Sequence, residues 1–93
     1  VGRTVRLDQY LKWSRVIARR TMAKATCDAG KVDVNQSVAR PGKDLSVGDI
    51  VTVDLPHRVM KFRVVEIPRR APGKTGARDL IEILENKRKD PEL

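Results

Sequence analysis

The sequence predicts an α+β fold: a small single domain in which two N-terminal helices pack on a short, twisted antiparallel sheet, with a further helix near the C-terminus. Three observations carry this. Apolar residues recur at steps of three and four through the first third of the chain. The period changes to two from Lys31 onward. A length of 93 residues suits one modest hydrophobic core and is short for two domains around an enclosed catalytic cleft. Only Trp13, Tyr10 and Phe62 are aromatic, so that core has to be mainly aliphatic.

Over 7–17, Leu7, Tyr10, Leu11, Ser14 and Ile17 fall at helical spacing, and Asp8 is placed to cap the first turn. A second helix is expected with Thr21 as cap, Met22, Ala25, Thr26 and Ala29 on one side, and Gly30 as its stop. The run from Lys31 to Asn35 and the return through Val38 predict a short hairpin before Pro41 and Gly42 break the chain. After the Val47-Gly48-Asp49 turn, Val51, Val53 and Leu55 alternate with polar residues as a half-buried strand. Beyond the turn at Pro56, His57 and Arg58, a partner strand turns Met60, Phe62 and Val64 inward and Lys61 and Arg63 outward. Proline, glycine and basic residues over 69–76 predict a flexible basic loop. Leu80, Ile81 and Leu84 then suggest a closing helix over 77–86, and the basic run over 87–91 a frayed end. The organisation expected is one folded unit over 1–68, followed over 69–93 by a basic loop, a helix and a mobile tail.

Twenty Lys and Arg face twelve Asp and Glu, a net charge of +8 that favours a polyanionic partner. No segment approaches the roughly 20 apolar residues of a membrane span, so the expected setting is cytoplasmic and off the membrane. One cysteine, Cys27, and one histidine, His57, make neither a disulfide nor a four-ligand zinc site. Cys27 reads as a small buried side chain and His57 as a surface turn residue with no nucleophile beside it in sequence. Trp13 reads as core or core edge rather than as a base-stacking platform. No cofactor, metal site or catalytic residue is expected, and the protein is expected not to be an enzyme.

Charge placement is more informative than its sum. Asp8, Lys12, Arg15 and Arg19 fall at steps of three and four and would share a helix face opposite Leu7, Leu11 and Ile17. Arg6, Arg20 and Lys24 flank that face. Solvated faces usually mix signs, whereas here Asp8 is the sole acid from Arg3 to Lys24. Arginine dominates, which suits two-pronged phosphate contacts and stacking on exposed bases, and the second helix carries no Asn or Gln cluster for reading a DNA groove. Arg6, Lys12, Arg15, Arg19, Arg20 and Lys24 are therefore the candidate RNA contacts, with Asp8 orienting a neighbouring arginine.

The series Arg6-Leu7-Asp8, Tyr10-Leu11, Arg15, Arg19-Arg20, Ala23, Gly30, Val32, Val34-Asn35, Pro41, Val47-Gly48-Asp49, Val51 and Val53 resembles the RNA-binding domain named after small-subunit ribosomal protein S-four. The resemblance spans about 6–55. Among its bearers the chain is similar to stand-alone factors of the RqcP and fifteen-kilodalton heat-shock protein types. The resemblance implies a factor of ribosome-associated quality control that binds a large ribosomal subunit still carrying peptidyl-tRNA. Such a factor contacts large-subunit ribosomal RNA and the tRNA while a nascent-chain tailing factor, a further candidate partner, extends the chain. By motif position it implies RNA contacts at Arg6 and Arg20 and an orienting role for Asp8. A structural ribosomal protein and a detached domain of an RNA-modifying enzyme are the alternatives.

Overall fold

The computed structural model describes residues 3–72 and 76–89, apart from the side chains of Ala77 and Arg78. Strand β1 (Val5–Arg6) runs directly into helix α1 (Leu7–Trp13), and helix α2 (Arg20–Asp28) follows. Strands β2 (Val32–Val34), β3 (Ser37–Val38), β4 (Asp44–Leu45), β5 (Ile50–Asp54) and β6 (Arg58–Val64) come next. A turn of 3-10 helix (Ala77–Leu80) leads into β7 (Ile81–Arg88). β1 pairs with β4, and the remaining strands form one antiparallel sheet in the order β3-β2-β5-β6-β7. The expected α+β class with two helices on a twisted antiparallel sheet is therefore what the chain adopts.

Strand alternation builds the core. Val32, Val34, Val51, Val53, Phe62 and Val64 are buried on the face that receives Leu7, Tyr10 and Leu11 of α1 and Ala23 and Cys27 of α2. The Tyr10 and Phe62 rings stack with centroids 6.4 Å apart. Burial and the nearby Glu66 charge push the Tyr10 hydroxyl well above its ordinary pKa. It stays protonated and reaches the carbonyl oxygens of Leu80 and Glu66. One side chain thereby ties α1 to the segment between β6 and β7.

Both helices differ from the expected ones, for local reasons. α1 stops at Trp13 because the chain turns left-handed at Arg15, with φ of 60°. The Ile17 N–H then donates to the Leu11 carbonyl, which returns Ile17 to the core without further helix. α2 starts one residue before Thr21, with Arg19 as its N-cap and no side-chain cap. Its buried pair is Ala23 and Cys27, four apart, so Cys27 is buried as expected, while Met22 on the neighbouring side is 57% exposed. Gly30 does end the helix. At φ of 76° it lets the Gly30 and Lys31 N–H groups donate back to Cys27 and Thr26, closing a Schellman motif.

The hairpin turns on Asn35 and Gln36, both at positive φ, a two-residue type I′ loop that matches sheet twist. β5 and β6 pair with the inward residues expected of them.

The closing helix expected over 77–86 is not present. After one 3-10 turn, 81–88 pairs along the whole of β6, with Glu82 on Arg63 at 3.2 Å and Glu85 opposite Lys61. A bulge leaves Leu84 without a partner, and this extra residue breaks the two-residue period so that Leu80, Ile81 and Leu84 mimic helical spacing. Lys87 and Arg88, expected in a frayed end, belong to this strand. The rest of the expected tail, at 90–93, and part of the expected basic loop, at 73–75, lie outside the described residues. Among the described residues no helix is long and apolar enough to cross a membrane.

Candidate nucleic-acid interface

The passage from β1 into α1 sets the site. Arg6, the last extended residue, and Asp8, in the first helical turn, stand two apart at the mouth of the helix pair, and the first residue of α2, Arg20, faces them. The Asp8 carboxylate is buried and accepts from both prongs of Arg6, Nε and Nη2, each at 3.2 Å. Arg20 Nε lies 3.6 Å from its second oxygen, and the Gln9 backbone N–H donates to the first at 2.8 Å. Burial, the largest influence, pushes the Asp8 carboxyl upward. The Arg6 hydrogen bonds, the Arg20 and Arg6 charges and the Gln9 N–H together outweigh it and hold the group below the usual carboxylate range. Arg6 is shifted upward by the same hydrogen bonds.

Asp8 does not consume the two guanidinium groups. The Arg6 and Arg20 side chains stay 50% and 48% exposed while the carboxylate between them is 3% exposed, so each arginine is held by one edge and open on the rest. Asp8, expected to cap the helix, is instead the second residue within it and acts as an anchor for these two cations.

A groove of about 810 Å³ opens beside Arg6, between α2 and the chain that follows β2. Lys24, one turn beyond Arg20, lines one wall with Asp28. Arg40 and Lys43 line the other, over a floor that includes Val34, Ala39 and Pro41. The start of α1 fixes that second wall: the Leu7 and Asp8 N–H groups donate to the Lys43 and Pro41 carbonyls at 2.8 and 3.1 Å. These otherwise unpaired helical donors clamp the 40–43 turn, and its basic side chains with it.

Of the sequence-derived candidates, Arg6, Asp8, Arg20 and Lys24 come together here. Lys12 and Arg19 are exposed and outside the groove, and the shared face expected for Asp8, Lys12, Arg15 and Arg19 is lost where α1 ends. Arg15 instead lines a separate hollow with Val16, Leu55, Arg58 and Met60. Sequence reasoning missed Arg40 and Lys43. Their signal was the Arg-Pro-Gly-Lys run, basic residues on both sides of a tight turn, which read only as a break between strands. Trp13 packs half-buried on the core and His57 is exposed in the β5–β6 turn. Cys27 is buried, and burial foremost, with the Asp8 and Asp28 charges, pushes its thiol up to about 11. Among the described residues no group of three His, Cys, Asp or Glu is placed to hold a metal ion.

The groove lies within a segment that matches a known family. A family model described as the S4 domain matches residues 5–51, a stretch holding Arg6, Asp8, Arg20, Lys24, Arg40 and Lys43. This chain belongs to the S4 domain family. The S4 match ends within β5, and whole-chain likeness extends it. The chain is 37% identical over 84 residues to the RQC P-site tRNA stabilizing factor of Streptococcus pneumoniae, covering 90% of this chain and 94% of the relative. It is 34% identical over 87 residues to the protein of the same description from Listeria innocua, covering 94% of each. Among solved structures it is similar to Vibrio cholerae Heat Shock Protein 15, described as trimeric. That likeness has a TM-score of 0.79 and 27% identity, over 87% of this chain and 82% of the other. Beyond the matched segment, β6 and β7 complete the same antiparallel sheet.

Proposed function

We propose that this S4 protein is an RNA-binding factor of ribosome-associated quality control, which docks on a large ribosomal subunit obstructed by peptidyl-tRNA. The observation that carries the reading is the buried Asp8 carboxylate holding two half-open arginines at the mouth of a basic groove. Ordering a flexible arginine on binding costs rotamer entropy, and an anchored guanidinium has lost most of it already. Its remaining N–H groups are aimed at whatever anion enters. Arg6, Arg20, Lys24, Arg40 and Lys43 outnumber the carboxylates close to them, Asp8, Asp28 and Asp44, so the groove attracts a phosphate backbone.

Relatives described as P-site tRNA stabilizing factors support tRNA as one ligand, and the S4 family membership supports RNA generally. Large-subunit ribosomal RNA is the second ligand in this reading, and a nascent-chain tailing factor is a further partner. The protein contributes position rather than bond chemistry: it holds the tRNA while others act on the chain. Lys12, Arg19 and Arg15 add peripheral phosphate contacts outside the groove. The ribosome places this work in the cytoplasm.

Sedimentation of cell extracts tests the assignment. The protein should travel with free large subunits that carry tRNA, and its share there should rise when translation is stalled. Stoichiometric presence on every large subunit, stalled or not, would mark it as a structural ribosomal protein instead.

A further inference from the structure

We infer that β7 is a self-recognition edge, through which two copies of this chain pair antiparallel about a two-fold axis. β7 ends the sheet order, and its eight residues leave a row of backbone N–H and C=O groups without a partner strand among the described residues. Every residue from Glu82 to Lys89 is exposed, including Ile83 at 53% and Leu84 at 38%. The opposite edge, β3, has only two residues and offers no comparable surface.

The charges on β7 are segregated by sign. Glu82 and Glu85 lie in its first part, and Lys87 and Arg88 at its end. Charges of one sign would repel a second copy, whereas this arrangement is complementary to its own reverse.

The bulge then selects the register. Opposite β6, Ile81, Ile83, Asn86 and Arg88 pair with Val64, Phe62, Met60 and Arg58 and so lie on the helix-covered face. Glu82, Glu85 and Lys87 pair with Arg63, Lys61 and Val59 and lie on the open face. Leu84, the extra residue, lines a hollow on that open face with Thr52 and Lys61. Strands pair only with side chains of opposed residues on the same face. Residue 81 opposite 88, 82 opposite 87, 83 opposite 86 and 84 opposite 85 satisfies this at all eight positions. Sliding one copy by a single residue either way sets open-face residues against covered-face ones, as in 82 against 88 or 83 against 85. In the selected register Glu82 of each copy meets Lys87 of the other, and the two Leu84 side chains approach diagonally across the axis. The five-stranded sheet becomes one of ten strands, and the groove at Arg6 and Lys24, beyond the opposite edge, stays open in both copies.

Sedimentation equilibrium of the full chain across a concentration series, with Glu82→Lys, Lys87→Glu, the double variant and an equimolar mixture of the two single variants, tests this. The parent should show a monomer–dimer equilibrium. Each single variant should dimerise on the order of tenfold more weakly, since two attractive pairs become repulsive. The double variant, and the mixture of singles, should regain the parent's association because opposite charges again face each other. Circular dichroism that matches the parent shows that each variant is folded, and recovery in the mixture shows it independently. A parent that remains monomeric at all concentrations, a trimer, or a double variant and mixture no better than the singles would overturn the proposal.

Discussion

Asp8 is the residue on which the proposed RNA face turns, because a buried carboxylate that orients two arginines acts on folding and on binding together. Asp8→Asn keeps the shape, removes the charge, and should cost about 1.5–3 kcal/mol of stability, the range for hydrogen bonds to a charged group. The pH dependence has a definite sign. The folded carboxyl lies below the usual range, while the unfolded chain titrates near ~3.9, so its contribution is present above about pH 4 and is lost as the pH falls through the folded value. Urea titrations of both proteins should show their stability gap closing below about pH 4. A gap that stays constant into strong acid would refute the anchoring role. Asp8 and its arginines were legible in sequence as a lone acid among cations at a helix start. Arg40 and Lys43 were not, since they join the groove through backbone hydrogen bonds from Leu7 and Asp8 and the β1–β4 pairing, more than thirty positions away. Lys24→Glu and Arg40→Glu should therefore weaken RNA binding by similar factors, and Arg15→Glu, in its separate hollow, by much less. Fluorescence anisotropy with a labelled tRNA would show it, and an Arg40→Glu protein that binds like the parent would remove that wall from the interface.

Elements were legible where period and breaker agreed. The Gly30 stop and the β5–β6 alternation follow from local chemistry, and both stand in the structure. α1 was overestimated because Ser14 and Ile17 keep helical spacing even though the chain leaves the helix at Arg15, a left-handed position that arginine does not advertise. β7 was mistaken for a helix because an eight-residue strand with a bulge in its middle has no steady period, and what decides it is the free edge of β6. The hairpin supplies a test at this scale. Asn35 suits its left-handed position and bonds Asp49 and the Ile50 N–H through its side chain, whereas Gln36 at φ of 72° has neither advantage. Gln36→Gly should raise stability by about 0.5–1 kcal/mol, a thermal midpoint higher by a few degrees. An unchanged or lower midpoint would mean that this turn is not the strained one.

For the whole molecule, composition and charge indicated a basic α+β domain but not how its cations divide. The groove gathers four of them beside one edge of the sheet, with Arg20 next to it on Asp8, and β7 carries others along the opposite edge, four strand spacings or roughly 19 Å away. A general polyelectrolyte and a docked groove therefore answer differently to where a charge is lost. With about four to six phosphates engaged, the log-log salt slope of RNA binding should be about −3 to −5, and a slope near zero would exclude electrostatic docking.

The most direct measurement compares Arg20→Gln with Arg88→Gln, two proteins that lose the same charge from opposite sides of the sheet. Arg20 is anchored on Asp8, whereas Arg88 lies on the outer strand opposite Arg58. Thermal unfolding should show both folded, since neither arginine is in the core. If the Asp8-anchored groove is the docking surface, Arg20→Gln should weaken tRNA binding by about 1.5–3 kcal/mol, roughly ten- to a hundredfold. Arg88→Gln should weaken it by less than about threefold. Equal losses in two folded proteins would mean that net charge alone draws RNA to this chain, and would contradict the preorganised groove.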